Sequence, residues 1–584
     1  MKWFALPILI LILAGIYWIG FNGGPGMEIS AAQSIFGPKV MVFDPAKDQG
    51  EIQAILDGLH KQQKHAQFGE ERYALLFKPG EYDLDVTVDY HVEAAGLGRV
   101  PGDVRINGSV QSVATTHTNN VTIMFWRSAS NFEVHPRSTE DLIYWAVSQA
   151  APYRRMHILG DLQFDKGGWA SGGLLANSIV EGNARLTTGQ QWFTRNSELG
   201  SWSGGNWNRT FVGTIGAATE EWPVKPNTVV QRTPVIREKP FLLIDESGGY
   251  SVFVPALAHS THGVSWKDGK EAGELIPINA FHIAFPGTDT AASINEALAS
   301  GKHILFTPGI YSLEETIRVS RENTIILGIG LPTLVPTNGK TALATDDLPG
   351  IILSGMMFDA GLTESPSLLE IGPPGSNRDH ADNPSSLHDI YCRVGGAIPG
   401  TVETCLVVNS HDVIIDHTWL WRADHGAGAE WEVNKAKHGI VVNGDDVTIF
   451  GLFNEHFQEY QTLWNGERGR TYFYQSEIPY DPPSQDLWMS GETLGYASYK
   501  VADHVESHHA WGLGIYSFFG VRADSDPGVR LHSAIEGPEK PGIQFTHITT
   551  FAGRYGGINH PINDFGPRTD AKELKFFDPA SENP

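Results

Sequence analysis

One segment occurs twice, and it constrains the fold more than any other feature of the chain. The first copy reads Leu76-Phe77-Lys78-Pro79-Gly80-Glu81-Tyr82 and the second Leu305-Phe306-Thr307-Pro308-Gly309-Ile310-Tyr311, 229 residues later. Each follows a stretch with small and aliphatic residues on one helical face, Ile52 to Leu59 and Ala291 to Leu298. Each precedes a short glycine turn, Gly96-Leu97-Gly98 and Gly328-Ile329-Gly330. Three matches in the same order mark an internal duplication, so two similar units begin near residues 40 and 280.

Within the units, short apolar strands alternate with turn residues, as in Val121-Thr-Ile-Met-Phe, Met156-His-Ile-Leu, Val413-Ile-Ile, Val447-Thr-Ile-Phe and Thr471-Tyr-Phe-Tyr. They recur every 20 to 35 residues with few helical patterns between them, and hairpin signals are scarce. That rhythm predicts an all-β chain of two tandem right-handed parallel β-helices, with an ordinary sandwich or propeller as the competing architecture. In each β-helix, a short helix caps the open edge of the first coil. The expected units are residues 27–240 and 281–565, with a linker over 241–280 and a tail over 566–584.

Composition narrows the function. Of 584 residues, 67 are acidic and 42 basic, and the net charge of −25 repels phosphate backbones, so no nucleic-acid partner is expected. Two cysteines, Cys392 and Cys405, are too few for a cysteine-rich zinc site, and they form either one disulfide or two inert thiols. Lys2 precedes an uncharged run from Trp3 to Phe21, long enough to span a bilayer. Residues 1–26 therefore read as a signal peptide or membrane anchor, with the remainder secreted or held outside the cytoplasm and touching membrane only through that segment. A monomer is expected.

The densest chemistry lies between residues 443 and 511. Glu455 and Glu477 stand 22 residues apart, about one coil, among Trp464, Tyr474, Gln475, Tyr480 and Trp488. Stacked coils lie roughly 4.8 Å apart, so such a spacing makes the two carboxylates neighbours. Glycoside hydrolysis uses one protonated carboxyl for the leaving oxygen and one ionised carboxylate for water, and aromatic rings stack on sugar faces. Asp445-Asp446 is similar to the paired aspartates of polygalacturonases, but the companion Gly-His-Gly and Arg-Ile-Lys segments are absent, and a turn-capping role is expected. His508-His509 would point to opposite strand faces, which argues against a metal site.

The tandem layout, the two Phe-x-Pro-Gly-x-Tyr starts and the run from Glu455 through Tyr-Gln-Ser-Glu477-x-Pro-Tyr-Asp resemble glycoside hydrolase family 55, exo-acting β-1,3-glucanases built from two β-helices. The resemblance spans roughly residues 30–565. It implies an inverting hydrolase needing neither cofactor nor metal and acting on a polysaccharide or oligosaccharide. Glu477 matches the general acid and Glu455 the carboxylate that supports the water network. The resemblance makes Gln190-Gln191-Trp192-Phe193 the water-holding segment of the first β-helix, with either Gln190 or Gln191 as the partner. The family's serine, sought 22 residues beyond Gln191, would fall at Gly213 beside Thr214. Trp192, Trp202, Trp207, Trp464 and Trp511 are candidate stacking residues in a cleft between the solenoids. The competing readings are a β-helix polysaccharide lyase or polygalacturonase-like hydrolase, and a non-catalytic anchored polysaccharide-binding protein.

Overall fold

The two Phe-x-Pro-Gly-x-Tyr copies close their coils with the same hydrogen bonds. Tyr82 donates its hydroxyl to the carbonyls of Phe43 and Lys78 (3.1 and 2.9 Å), and Tyr311 donates to those of Ala284 and Thr307 (2.8 and 2.9 Å). Gly80 and Gly309 sit at positive φ, and a Cβ at either would strike the ring of Pro45 or Pro286. The duplicated motif is thus the first turn of each solenoid. A computed structural model describes residues 35–138, 141–219, 222–269, 271–520 and 525–581, so the expected N-terminal segment lies outside the described residues.

Each solenoid is capped by the expected helix. Over Gln49–Gln63, Asp48 accepts from the Glu51 backbone N–H, and Ile52, Leu56 and Leu59 turn inward. Over Ala291–Ala299, Thr290 and Ser293 cap each other reciprocally, and Ala291, Ile294 and Leu298 are buried. In the first solenoid a parallel ladder then runs from Val40–Phe43 to Asn227–Val230. The second solenoid carries two long sheets, one from Phe281–Ala284 to Ile543–Ala552 and one from Ile317–Val319 to Gly557–Ile562, parallel until their last strands.

A left-handed residue recurs at one corner of almost every coil. In the second solenoid the stack is Gly355, Asp389, His417, Gly451, Phe473, Gly512 and His547, all with positive φ. In the first it is Asn131, Arg155, Asn177, Asn196 and Gly213. Each such residue bends its strand and reverses the in-out alternation beyond it.

Two segments carry more structure than the sequence suggested. The linker over 241–280 forms a three-stranded antiparallel sheet, Phe241–Ile244, Tyr250–Pro255 and Gly273–Pro277. The expected tail contributes Thr569–Asp570 and Leu574–Phe577, which pair antiparallel with Gly557–Ile562 and Ile543–Ala552. These strands cover edges that the final coil would otherwise expose. Among the described residues, no helix is long and apolar enough to cross a membrane.

The solenoids have separate cores and meet along an apolar seam containing Phe193, Phe450, Phe453 and Phe473. A buried ionic hub crosses this seam. Arg154 of the first solenoid lies 2.7 Å from both Asp389 and Asp416 of the second, while Arg195 pairs with Asp416 (2.9 Å) and Glu238 (2.6 Å). Lys239 adds a third cation to the hub, 2.9 Å from Asp389. Cys392 and Cys405 are buried in the second core as free thiols, with no disulfide between them.

Candidate active site

Strands Thr448–Glu455 and Gly469–Glu477 run parallel on adjacent coils with Glu455 directly opposite Glu477. Both glutamates come four residues after the left-handed corner of their strand, Gly451 or Phe473, which turns them outward toward the first solenoid. Gln475, two residues before Glu477 on the same face, donates to Glu477 Oε1 at 3.2 Å and also bonds Glu455.

Glu455 is gripped from both solenoids. Gln149 Nε2 donates to its Oε1 at 2.7 Å and Trp419 Nε1 to its Oε2 at 2.9 Å. Glu477 accepts the Tyr480 hydroxyl on Oε2, and His456 Nε2 stands 4.0 Å from the same oxygen. Burial lowers the His456 pKa, so its ring is neutral beside the carboxyl.

Burial raises the pKa of both glutamates. At Glu477 it is followed by the charge of Glu455 and then that of Asp424. At Glu455 burial is opposed by the hydrogen bonds from Gln475, Trp419 and Gln149, which favour the anion. Two carboxyls so close cannot both ionise cheaply. Burial outweighs the three N–H donors and pushes Glu455 up to about 8, while Glu477, which also faces the charge of Glu455, is raised further, so of the two Glu477 keeps its proton to higher pH.

The pair opens into a cleft of about 940 Å³ between the solenoids. The first solenoid lines it with Phe125, Gln149, Trp169, Ser171, Gln190 and Trp207, and the second with Trp419, Trp421, Asp424, Glu455, Glu477, Tyr480 and Tyr516. Trp169 is 58% exposed at this wall. Trp419 and Trp421 stack on each other with centroids 5.3 Å apart, making an aromatic floor beside the carboxyls. Asp424, which burial would raise, is held below the usual range by its hydrogen bond from His425 and stays ionised.

The structure thus gathers Glu455, Glu477, Gln475, Tyr480 and Gln190 at one site, with Trp207 on the opposite wall. Four residues do not belong to it. Trp192 stacks on Phe164 at 3.8 Å inside the first core. Trp464 lies in the second core, and so does Tyr474, whose hydroxyl is tied to Ser498 Oγ at 2.9 Å. Gln191 is buried on the seam and donates to the Ser171 carbonyl without reaching the cleft wall. Trp202 packs edge-on against Phe211, and Trp511 stacks on His509 at 3.4 Å.

The serine sought beyond Gln191 has a counterpart in the other direction. Ser171 lines the cleft one coil before Gln190, and Gln149 one coil before that. Ser171 stands 19 residues before Gln190 and Gln149 22 before Ser171, and these coil-length spacings are the signal that could have found them. Asp445 accepts the backbone N–H of Glu467 and Asp446 pairs with Arg468, as turn residues do. His508 packs on Trp464 inside the core while His509 faces outward, so they do point apart.

Two coupled carboxyls of unequal proton affinity beside an aromatic floor, in a cleft between two β-helices, define a glycoside hydrolase of the β-helical class. The LAM55 pectate lyase-like domain matches residues 281–477. A curated exo-beta-1,3-glucanase of Streptomyces sp. (strain SirexAA-E / ActE) is 45% identical over 555 residues, covering 94% of this chain and 90% of that protein. The solved structure of sacteLam55A from Streptomyces sp. SirexAA-E superposes with a TM-score of 0.90 at 44% identity, covering 93% of this chain and 98% of the other. A variant of sacteLam55A in complex with glucose gives a TM-score of 0.89. The chain belongs to glycoside hydrolase family 55.

Proposed function

We propose that this protein is an exo-acting β-1,3-glucanase that hydrolyses its substrate with inversion of the anomeric centre. The substrate class is supported by the 45% identical relative, an exo-beta-1,3-glucanase matching 94% of the chain. The observation that carries hydrolysis is the register of Glu455 against Glu477, with Gln149 reaching across the seam to Glu455, while the inverting outcome rests on the membership of family 55.

In this reading a terminal glucosyl unit enters the cleft between the exposed ring of Trp169 and the wall built on Trp419 and Trp421. Glu477, which keeps its proton to the higher pH, protonates the departing glycosidic oxygen, and Tyr480 steadies its carboxyl. A water held by ionised Glu455, with Gln149 and Ser171 beside it, attacks the anomeric carbon from the opposite side. Glu455 takes the water's proton as the bond to the leaving oxygen breaks. No covalent intermediate and no metal is required. The coupled carboxyls favour catalysis over the purely binding role, which would need no such coupling.

The apolar run from Trp3 to Phe21 supports an extracytoplasmic enzyme, secreted or anchored by that segment alone, and the enzyme is proposed to act as a monomer. The test is to follow laminarin and laminari-oligosaccharides by NMR. Glucose released first as the α-anomer from the non-reducing end supports the proposal. First product as the β-anomer, or internal cleavage, overturns the inverting or exo part respectively.

A further inference from the structure

An inverting cycle moves a negative charge across the site. At its start Glu455 is the anion and Glu477 holds a proton. The bond from the anomeric carbon to the leaving oxygen breaks as that oxygen takes the Glu477 proton, the water oxygen bonds the carbon, and the water's proton passes to Glu455. Glu455 ends neutral and Glu477 ends as the anion, so the charge has crossed from one coil to the next. Gln149 and Trp419 donate to Glu455, and Tyr480 donates to Glu477. Each of these three donors serves a single carboxyl.

Gln475 is bonded to both. Its Nε2 donates to Glu477 Oε1 at 3.2 Å, and its side chain is also hydrogen-bonded to Glu455. An amide nitrogen carries two hydrogens, enough for one to each carboxyl. Gln475 is fully buried and does not line the cleft, so it stands behind the pair, out of reach of a sugar. Its register neighbours on the adjacent coils are Phe453 and Gly514, whose side chains offer no hydrogen bond. Gln475 Oε1 is accordingly buried without a partner. An orphaned acceptor is costly, and here it is the consequence of aiming the donor end at the carboxyls. Turned over, the amide would set Oε1 against an anion at either end of the cycle and leave its N–H groups unused.

We propose that Gln475 is a positioning residue for the hydrolysis, holding the two carboxyls in register and following the negative charge from Glu455 to Glu477 with its two N–H groups in each turnover. This rests on the inverting reading above and adds to it the group that stabilises the charge at both of its positions.

The test is the pH profile of kcat on laminari-oligosaccharides for the full chain and for Gln475→Met, which keeps the side-chain length and loses both donors. The other groups facing the pair stay in place. On the second solenoid these are Asp424, His456, Tyr480 and Tyr516, with Tyr474 within range of the Glu455 charge. The first solenoid lines the cleft with uncharged side chains. Each lost hydrogen bond favoured an anion, so both carboxyls should hold their protons to higher pH in the variant. The acid limb, set by ionisation of Glu455, and the alkaline limb, set by loss of the Glu477 proton, should both move up by about one pH unit. At the optimum kcat should fall by about tenfold or more while KM stays within about twofold, because the substrate does not touch Gln475. Should Gln475→Met fail to fold, Gln475→Asn, whose amide is one methylene short of the carboxyls, should move the same limbs in the same direction. Limbs that stay at their wild-type positions in a folded variant, or a change confined to KM, overturn the proposal. If wild type releases the α-anomer and Glu477→Gln is inactive, that result removes this proposal and spares the inverting reading. First product as the β-anomer from wild type removes both.

Discussion

At the scale of single residues, Glu477 and Glu455 are the same side chain set in different surroundings. Glu455 receives three N–H donors that favour its anion, whereas Glu477 is raised by burial and then by the charge of Glu455, so Glu477 holds its proton to the higher pH. Glu477→Gln should lower kcat by about a hundredfold or more on laminarin. Glu455→Gln removes the charge that helps raise Glu477, so the pKa of the remaining carboxyl, followed by infrared titration, should fall. The proton also bears on stability. Glu477 in the unfolded chain ionises in the ordinary carboxylate range, whereas the native group holds its proton to higher pH. Its favourable contribution is therefore complete below the unfolded pKa and is lost as pH rises toward the native one. Glu477→Gln does not titrate, so its Tm should gain on that of wild type between pH 5 and pH 8 in calorimetric scans.

At the scale of elements, the stacked left-handed corners aim the site. Across Phe473 the alternation reverses, which is why Tyr472 faces the seam while Tyr474, two residues on, enters the core. The same reversal turns Gln475 and Glu477 outward together. Gly451 occupies this corner one coil earlier at φ 69°, and a Cβ there would lie 2.9 Å from the Phe193 ring. Gly451→Ala should cost about 1–3 kcal/mol of stability from strain, measured by urea unfolding. Because Gly451 directs Glu455, its kcat should fall as well.

At the scale of the whole molecule, the carboxyls proposed to be catalytic come from one solenoid and Gln149 and Ser171 from the other, so on that proposal activity depends on how the two lie together. The Arg154, Arg195, Asp389 and Asp416 hub ties them. Asp416→Ala would remove one of the two carboxylates that each of the buried Arg154 and Arg195 guanidinium groups pairs with and should cost about 3–5 kcal/mol. Both Asp389 and Asp416, which burial alone would raise, are held below the usual carboxylate range by the arginines. Their contribution is present above the unfolded pKa and is lost as pH falls below it, so acid unfolding should begin in that window. In Asp416→Ala, loss of structure and loss of activity should coincide in a single denaturant titration.

Spacing along the chain determined the solenoid, its duplication and its capping helices, because coil length repeats in the sequence and each coil must bury an apolar face. The 22-residue step from Glu455 to Glu477 likewise foretold two carboxyls in register. Residue type alone misplaced Trp192, Trp464 and Tyr474, since an aromatic ring suits a core as well as a sugar, and the left-handed corners that decide which face it takes carry little local signal beyond Gly or Asn. Gln149 and Ser171 stayed hidden for a different reason. Glu455, the partner of Gln149, lies 306 residues away, and only the packing of one solenoid on the other brings Gln149 and Ser171 to the cleft that holds the two carboxyls.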